Sequence, residues 1–208
     1  MLKIRVSSIE EFLLADRKEF KMEAGNFVYI YDFERLTDSP GILLQISVVN
    51  RSDAPKKVGK IDLLEIEDVS EPVYYNGWQS WLPFKAYWEQ PIVDPFVQYA
   101  DSHEISLFSA TPIPEILREG RRPSDYFIAT NELVVGFLSS RFSHQYFLWN
   151  DDQCNIRGSA DLFGAELAPG ESVQLEKMVI FGKDSLWSML ENYASLIKKS
   201  NKVEFNDF

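Results

Sequence analysis

Cysteine occurs once in these 208 residues, at Cys154, and histidine twice, at His103 and His144. One cysteine closes no internal disulfide, and three such residues do not assemble a site of several Cys and His. A disulfide framework and a structural zinc are therefore both excluded. Cys154 itself reads as a small, partly buried side chain. Basic residues are also scarce, with 21 Lys and Arg against 32 Asp and Glu, for a net charge of −11. A nucleic-acid surface needs clustered cations to neutralise phosphate, and an anionic membrane selects against the same deficit. The one basic cluster, Arg118 to Arg122, is short and interrupted by Glu119. Long apolar runs are missing too, since none reaches the ~18 residues of a membrane span. The N-terminus, Met1 to Glu11, has no uninterrupted apolar stretch and no small-residue cleavage site. No phosphate loop can be built around Gly158 and Gly164, and no nucleophile elbow is present. These absences leave the expectation of a soluble, cytoplasmic protein with no metal, no cofactor, and neither nucleic acid nor membrane as partner.

Aromatic side chains, by contrast, are plentiful at 14% of the chain. They concentrate between Tyr74 and Trp88, where Trp78, Trp81 and Trp88 stand beside Tyr75, Phe84 and Tyr87. Asn76-Gly77 and Pro83 are turn formers, because Asn and Gly tolerate positive φ and Pro fixes φ near −65°. A stretch so rich in rings and so poor in periodicity predicts a loop carrying aromatic surface. Such rings are either buried filler or flat faces suited to a sugar ring.

Around this stretch the pattern is that of short strands. Lys3 to Val6 reads as an edge strand, and the capping-box spacing of Ser8 and Glu11 predicts a short helix over 9–15. Phe27 to Phe33 alternates with apolar residues on both faces, which suits a strand inside a sandwich. Thr37-Asp-Ser-Pro-Gly41 is a turn, Ile42 to Val49 the returning strand, and Asn50 to Pro55 a loop. Lys60 to Glu67 alternates until the phase shifts between Leu63 and Leu64, which predicts a bulge there. A long, proline-rich irregular region follows over roughly 76–124, and segments of that length are uncommon in compact domains unless functional, disordered or held by a partner. Strand patterning resumes at Asp125 to Ala129, Leu133 to Leu138, Gln145 to Trp149 and Val173 to Phe181. The expected fold is mainly β: an antiparallel β-sandwich with one C-terminal helix. Asp184 or Ser185 caps that helix, and Leu186, Leu190, Tyr193 and Ile197 fall on one face.

Catalytic groups do not converge on spacing alone. Ser143 and His144 are neighbours, and neighbours on a strand point to opposite faces. His144 or His103 with a Glu would suit the acid–base chemistry of a sugar mutarotase, another large β-sandwich class, but no spacing ties either His to a particular Glu.

Two separated motifs carry a resemblance. Pro72-Val-Tyr-Tyr-Asn-Gly-Trp-Gln-Ser-Trp-Leu-Pro83 resembles the Asn-x-Trp-Gln-Ser-Trp segment in the N-terminal domain of glycoside hydrolase family 36 α-galactosidases, the compact archaeal and thermophilic bacterial type in particular. Ser124-Asp-Tyr-Phe-Ile-Ala129, with Val135-Gly-Phe-Leu-Ser-Ser-Arg-Phe-Ser-His144, agrees independently, and Leu190 to Leu196 is similar to the helix that leads into that family's barrel. The resemblance implies a β-supersandwich over 1–183, with 184–208 a helix and the start of a linker toward a (β/α)8 barrel. That barrel would carry both catalytic aspartates of a retaining mechanism, and none of this chain's carboxylates replaces them. Trp81 matches the tryptophan that reaches the galactose pocket; Trp78 is the ring that holds the loop, with Gln79 and Ser80 as its hydrogen bonding. The implied partners are a galactoside, met through the barrel, and a second copy of the chain, met through the exposed docking surface. The competing expectation is a stand-alone sugar-binding sandwich using the same rings.

Overall fold

The computed structural model describes residues 1–14, 16–70, 72–75, 85–87, 121–150 and 152–202. Within them two β-sheets face each other. The smaller has five strands in the order β1 (Leu2–Arg5), β5 (Lys56–Glu67), β12 (Asn155–Leu167), β11 (His144–Asn150), β8 (Arg121–Asp125). The larger, nine-stranded among the described residues, runs β2 (Arg17–Ala24), β3 (Phe27–Arg35), β4 (Gly41–Asn50), β14 (Met178–Gly182), β10 (Leu133–Phe137), β9 (Phe127–Ala129), β6 (Val73–Tyr75), β7 (Lys85–Tyr87), with β13 (Ser172–Gln174) also on β4. Pairing is antiparallel throughout except for β1, which lies parallel to β5. The sheets share one core: Tyr31, Phe33, Leu44 and Ile46 from the larger meet Leu64, Ile66, Phe147 and Trp149 from the smaller. Phe137 and Phe147 stack at 4.7 Å between ring centroids across the interface, and the Tyr31 hydroxyl donates to the Leu63 carbonyl at 3.0 Å. Each fully buried large side chain contributes roughly 1.5–3 kcal/mol, which makes this inter-sheet layer the main stabilising element.

The bulge expected near Leu63 is present. Leu64 pairs with Gly158 while Asp62 pairs with Ser159, leaving Leu63 unopposed. The short helix α1 spans Ile9–Leu14, and the C-terminal helix α2 spans Leu186–Asn201. Ser185 caps α2 by accepting from the Ser188 amide at 3.2 Å. Met189 and Tyr193 are its buried residues, and Leu186, Leu190 and Ile197 pack beside them on the outer face of the larger sheet, against Val134, Val179 and Phe181.

Four expectations are corrected. Asp125 to Ala129 is not one strand: β8 ends at Asp125 in the smaller sheet, β9 begins at Phe127 in the larger, and Tyr126 turns the chain between them at φ 59°. The last four residues of the region read as irregular, 121–124, are therefore strand. Val173 to Phe181 is likewise two strands on β4, interrupted where Glu176 turns its carboxylate onto the 141–143 loop. Cys154 is exposed rather than partly buried, in the turn between β11 and β12. Strands β2 and β12 escape the pattern reading altogether. The first alternates charged residues along a sheet edge, and the second carries glycines where alternation would show.

Candidate functional site

Trp78, Trp81 and Trp88 lie outside the described residues, as do Gln79, Ser80 and His103. The strands that bracket the first two tryptophans are described. β6 and β7 pair antiparallel, with Val73 opposite Tyr87, Tyr74 opposite Ala86 and Tyr75 opposite Lys85. β6 also pairs with β9, Tyr74 opposite Ala129 and Tyr75 opposite Ile128. Residues 76–84, which carry Trp78 and Trp81, thus join two strands at the outer end of the larger sheet. Val73 is fully buried in the main core, and Tyr74 packs in the second cluster with Phe127 and Tyr193.

Tyr193 fixes this end of the sheet to α2. Its hydroxyl shares a proton between the Phe137 carbonyl at 2.8 Å and the Tyr126 carbonyl at 3.0 Å, and its ring lies 5.6 Å from that of Phe127. Burial pushes its phenol well above the ordinary range, so it stays a neutral donor. Close approach is possible because Gly136 lies beneath the ring: a Cβ there would meet the ring at 2.5 Å.

The face of the smaller sheet turned away from the core carries a polar ladder. Directly opposed residues form rows: Asp62, Ser159, Tyr146 and Asp125 in one, Lys60, Asp161 and His144 in the next, Glu65 and Arg157 in a third. Ser159 donates to Asp62 at 2.8 Å, and the Lys60 ammonium lies 5.5 Å from the centre of the Tyr146 ring. Burial raises the Tyr146 phenol. Glu65, almost fully buried, accepts from Lys3 at 3.1 Å and Asn155 at 2.9 Å. His144 Nε2 stands 3.6 Å from Asp125 Oδ1, an ion-pair distance when the imidazole is protonated. Ser143 turns the other way, donating to Glu176 at 3.0 Å, as strand alternation requires. The carboxylate beside His144 is therefore an Asp, and no sequence spacing pointed to it. Only the register of β8 on β11 brings Asp125 there.

A separate cleft of about 330 Å³ opens between Val6, Ile9, Asn131, Glu132, Lys183 and Asp184, and none of the expected site residues lines it. Among the described residues no group of His, Cys, Asp and Glu is arranged to hold a metal ion, and no described helix is long and apolar enough to cross a membrane.

The family model described as "Alpha-galactosidase, N-terminal" matches residues 46–182, from β4 through β14. A solved structure of a galactose mutarotase-like protein from Clostridium acetobutylicum is similar over 80% of this chain at 13% identity, with a TM-score of 0.36. This chain spans 62% of that structure's length, and at such a score the likeness carries no statement about function.

Proposed function

Since the chain belongs to the family of α-galactosidase N-terminal domains, we propose that it is the non-catalytic N-terminal domain of a cytoplasmic, α-galactosidase-type retaining glycosidase. In this reading Trp81 supplies an aromatic wall to the galactose pocket of a (β/α)8 barrel, and the two catalytic aspartates belong to the barrel. Trp78 holds the loop. Helix α2 leads from the sandwich toward the barrel, and the surface meant for the barrel lets isolated copies associate.

The family match over 46–182 carries the reading. Support for the wall comes from its footing. The strands β6 and β7, which the sequence places on either side of 76–84, pair with each other, and β6 is fixed to β9 and through Tyr193 to α2, a rigid base of the kind a pocket wall requires. Titrating the chain with galactose while following tryptophan fluorescence tests this. A wall without its barrel leaves the spectrum unchanged up to millimolar sugar. Saturable quenching at that concentration, abolished by Trp81→Ala, would instead establish a stand-alone sugar-binding sandwich.

A further inference from the structure

Strand β2, Arg17-Lys-Glu-Phe-Lys-Met-Glu-Ala24, ends the larger sheet on the side opposite the β6–β7 pair. It pairs with β3 over all eight residues in one unbroken register, and among the described residues no strand lies on its other side. Its outward backbone N–H and C=O groups are therefore a template for a further strand. Proteins commonly blunt such an edge by making it short, bulged or broken by proline, and β2 is none of these.

The charges along β2 take both signs. Phe20 opposes the buried Tyr31, so Lys18, Phe20 and Met22 stand on the core side, where Phe20 and Met22 are partly buried. Arg17, Glu19, Lys21 and Glu23 project from the other face and are exposed. Within one copy they form exposed ion pairs, which contribute little. Arg17 donates to both oxygens of Asp32 at 2.8 and 2.6 Å, Lys21 lies 3.4 Å from Glu19, and Arg51 pairs with Glu23. Glu19 directly opposes Asp32 on β3, an unfavourable like-charge neighbour.

We propose that β2 is the seam of a homodimer, in which a second copy of the chain lays its own β2 antiparallel along the open edge. A twofold axis normal to the sheet keeps outer face on outer face, and its register is dictated by charge. Centred on Phe20, the pairing sets Arg17 against Glu23 and Glu19 against Lys21, twice each, so every outward charge meets its opposite. Centred on Glu19 it opposes Glu19 to itself and Arg17 to Lys21; centred on Lys21 it opposes Lys21 to itself and Glu19 to Glu23. A centre farther out leaves part of the strand unpaired. In the favoured register Glu19 gains a lysine on the side away from Asp32. On the core side Phe20 meets its own counterpart and Lys18 meets Met22, which covers apolar area left open in one copy. The net charge of −11 repels a second copy at long range. At physiological ionic strength that repulsion is screened beyond ~8 Å, whereas side chains opposed across two strands stand about 5 Å apart. The seam is separate from the tryptophan loop and α2, so it leaves both free for a barrel.

Sedimentation velocity over about 1–100 μM at about 0.15 M salt tests the seam. The unmodified chain is expected to pass from monomer to dimer. Lys21→Glu sets glutamate against glutamate at two places and weakens the dimer about tenfold or more. Adding Glu19→Lys to it restores the affinity, because the pairs are exchanged and the net charge returns to −11. Both positions are exposed, so the fold is kept. Association that Lys21→Glu leaves unchanged belongs to another surface and overturns the seam. A double variant no tighter than Lys21→Glu overturns it too, as does an unmodified chain that stays monomeric throughout, its edge then being closed by charge. Deuterium exchange on the unmodified chain gives a reading free of substitutions. Amides of residues 17–24 that exchange readily in dilute solution are slowed at the high end of the range; slowing confined to other strands or to α2 overturns the proposal.

Discussion

Glu176 is a carboxylate almost fully buried in a chain of high negative charge, and desolvation makes such a group costly unless its oxygens are filled. Two backbone amides and the Ser143 hydroxyl fill them. Glu176→Ala leaves these donors unsatisfied and is expected to destabilise by about 2–3 kcal/mol in urea unfolding, with Glu176→Gln losing less. Nothing in the sequence separates Glu176 from the many surface carboxylates around it, because its partners lie some 35 positions away. Tyr31 gives a pH prediction. Burial pushes its phenol up to about 12 from an ordinary value of 10.0. A raised pKa in the folded state means that stability is fully present below pH 10 and is lost as pH climbs toward 12, when the unfolded chain ionises first. The unfolding midpoint followed from pH 8 to 11.5 should be flat and then fall, by up to about 2 kcal/mol for this residue. Tyr31→Phe removes this residue's share of the fall, at the cost of the bond to Leu63, while Tyr146 and Tyr193, also raised by burial, keep theirs.

Elements with one buried face and regular alternation were legible. β3 and β4 show their core residues at every second position, and α2 shows Leu186, Leu190, Tyr193 and Ile197 on one stripe. The bulge at Leu63 was legible because a phase shift in hydrophobicity has few other causes in a strand. β12 was not, since Gly158 stands where a side chain would crowd Phe147 at 3.2 Å and the strand breaks register at Gly158 and again beyond Asp161. The crossing at Tyr126 was hidden for a different reason: five apolar-rich residues read as one strand unless a backbone angle is known. Of the candidate site, Trp78 and Trp81 rested on motif alone, and the footing of their loop on β6 and β7 rests on residues too few to show a period. At this scale Gly136→Ala is expected to destabilise by about 2–3 kcal/mol through its clash with Tyr193, with Tyr193→Leu recovering part of the loss in the double variant. Ser185→Ala should cost α2 about 1 kcal/mol, read as a lower thermal midpoint.

In the whole molecule, two sheets share a core while the larger one also carries a helix on its outer face, so its central strands are covered on both sides. The smaller sheet's second face carries the polar rows, and Ser159, Tyr146, Glu65 and Asp125 are nearly fully buried there. Self-association through the surface meant for a barrel should appear in sedimentation velocity as a weight-average coefficient that rises over micromolar concentrations; a constant coefficient would remove that part of the proposal. One hydroxyl then has a consequence in time. Tyr193 holds the carbonyls of Tyr126 and Phe137, and through the ring of Phe127 it braces the strand on which the tryptophan loop stands. The helix and that strand pair cannot open separately. Deuterium should therefore enter β6, β9 and α2 at one shared opening rate, slower than at β2, and Tyr193→Phe should hasten all three together.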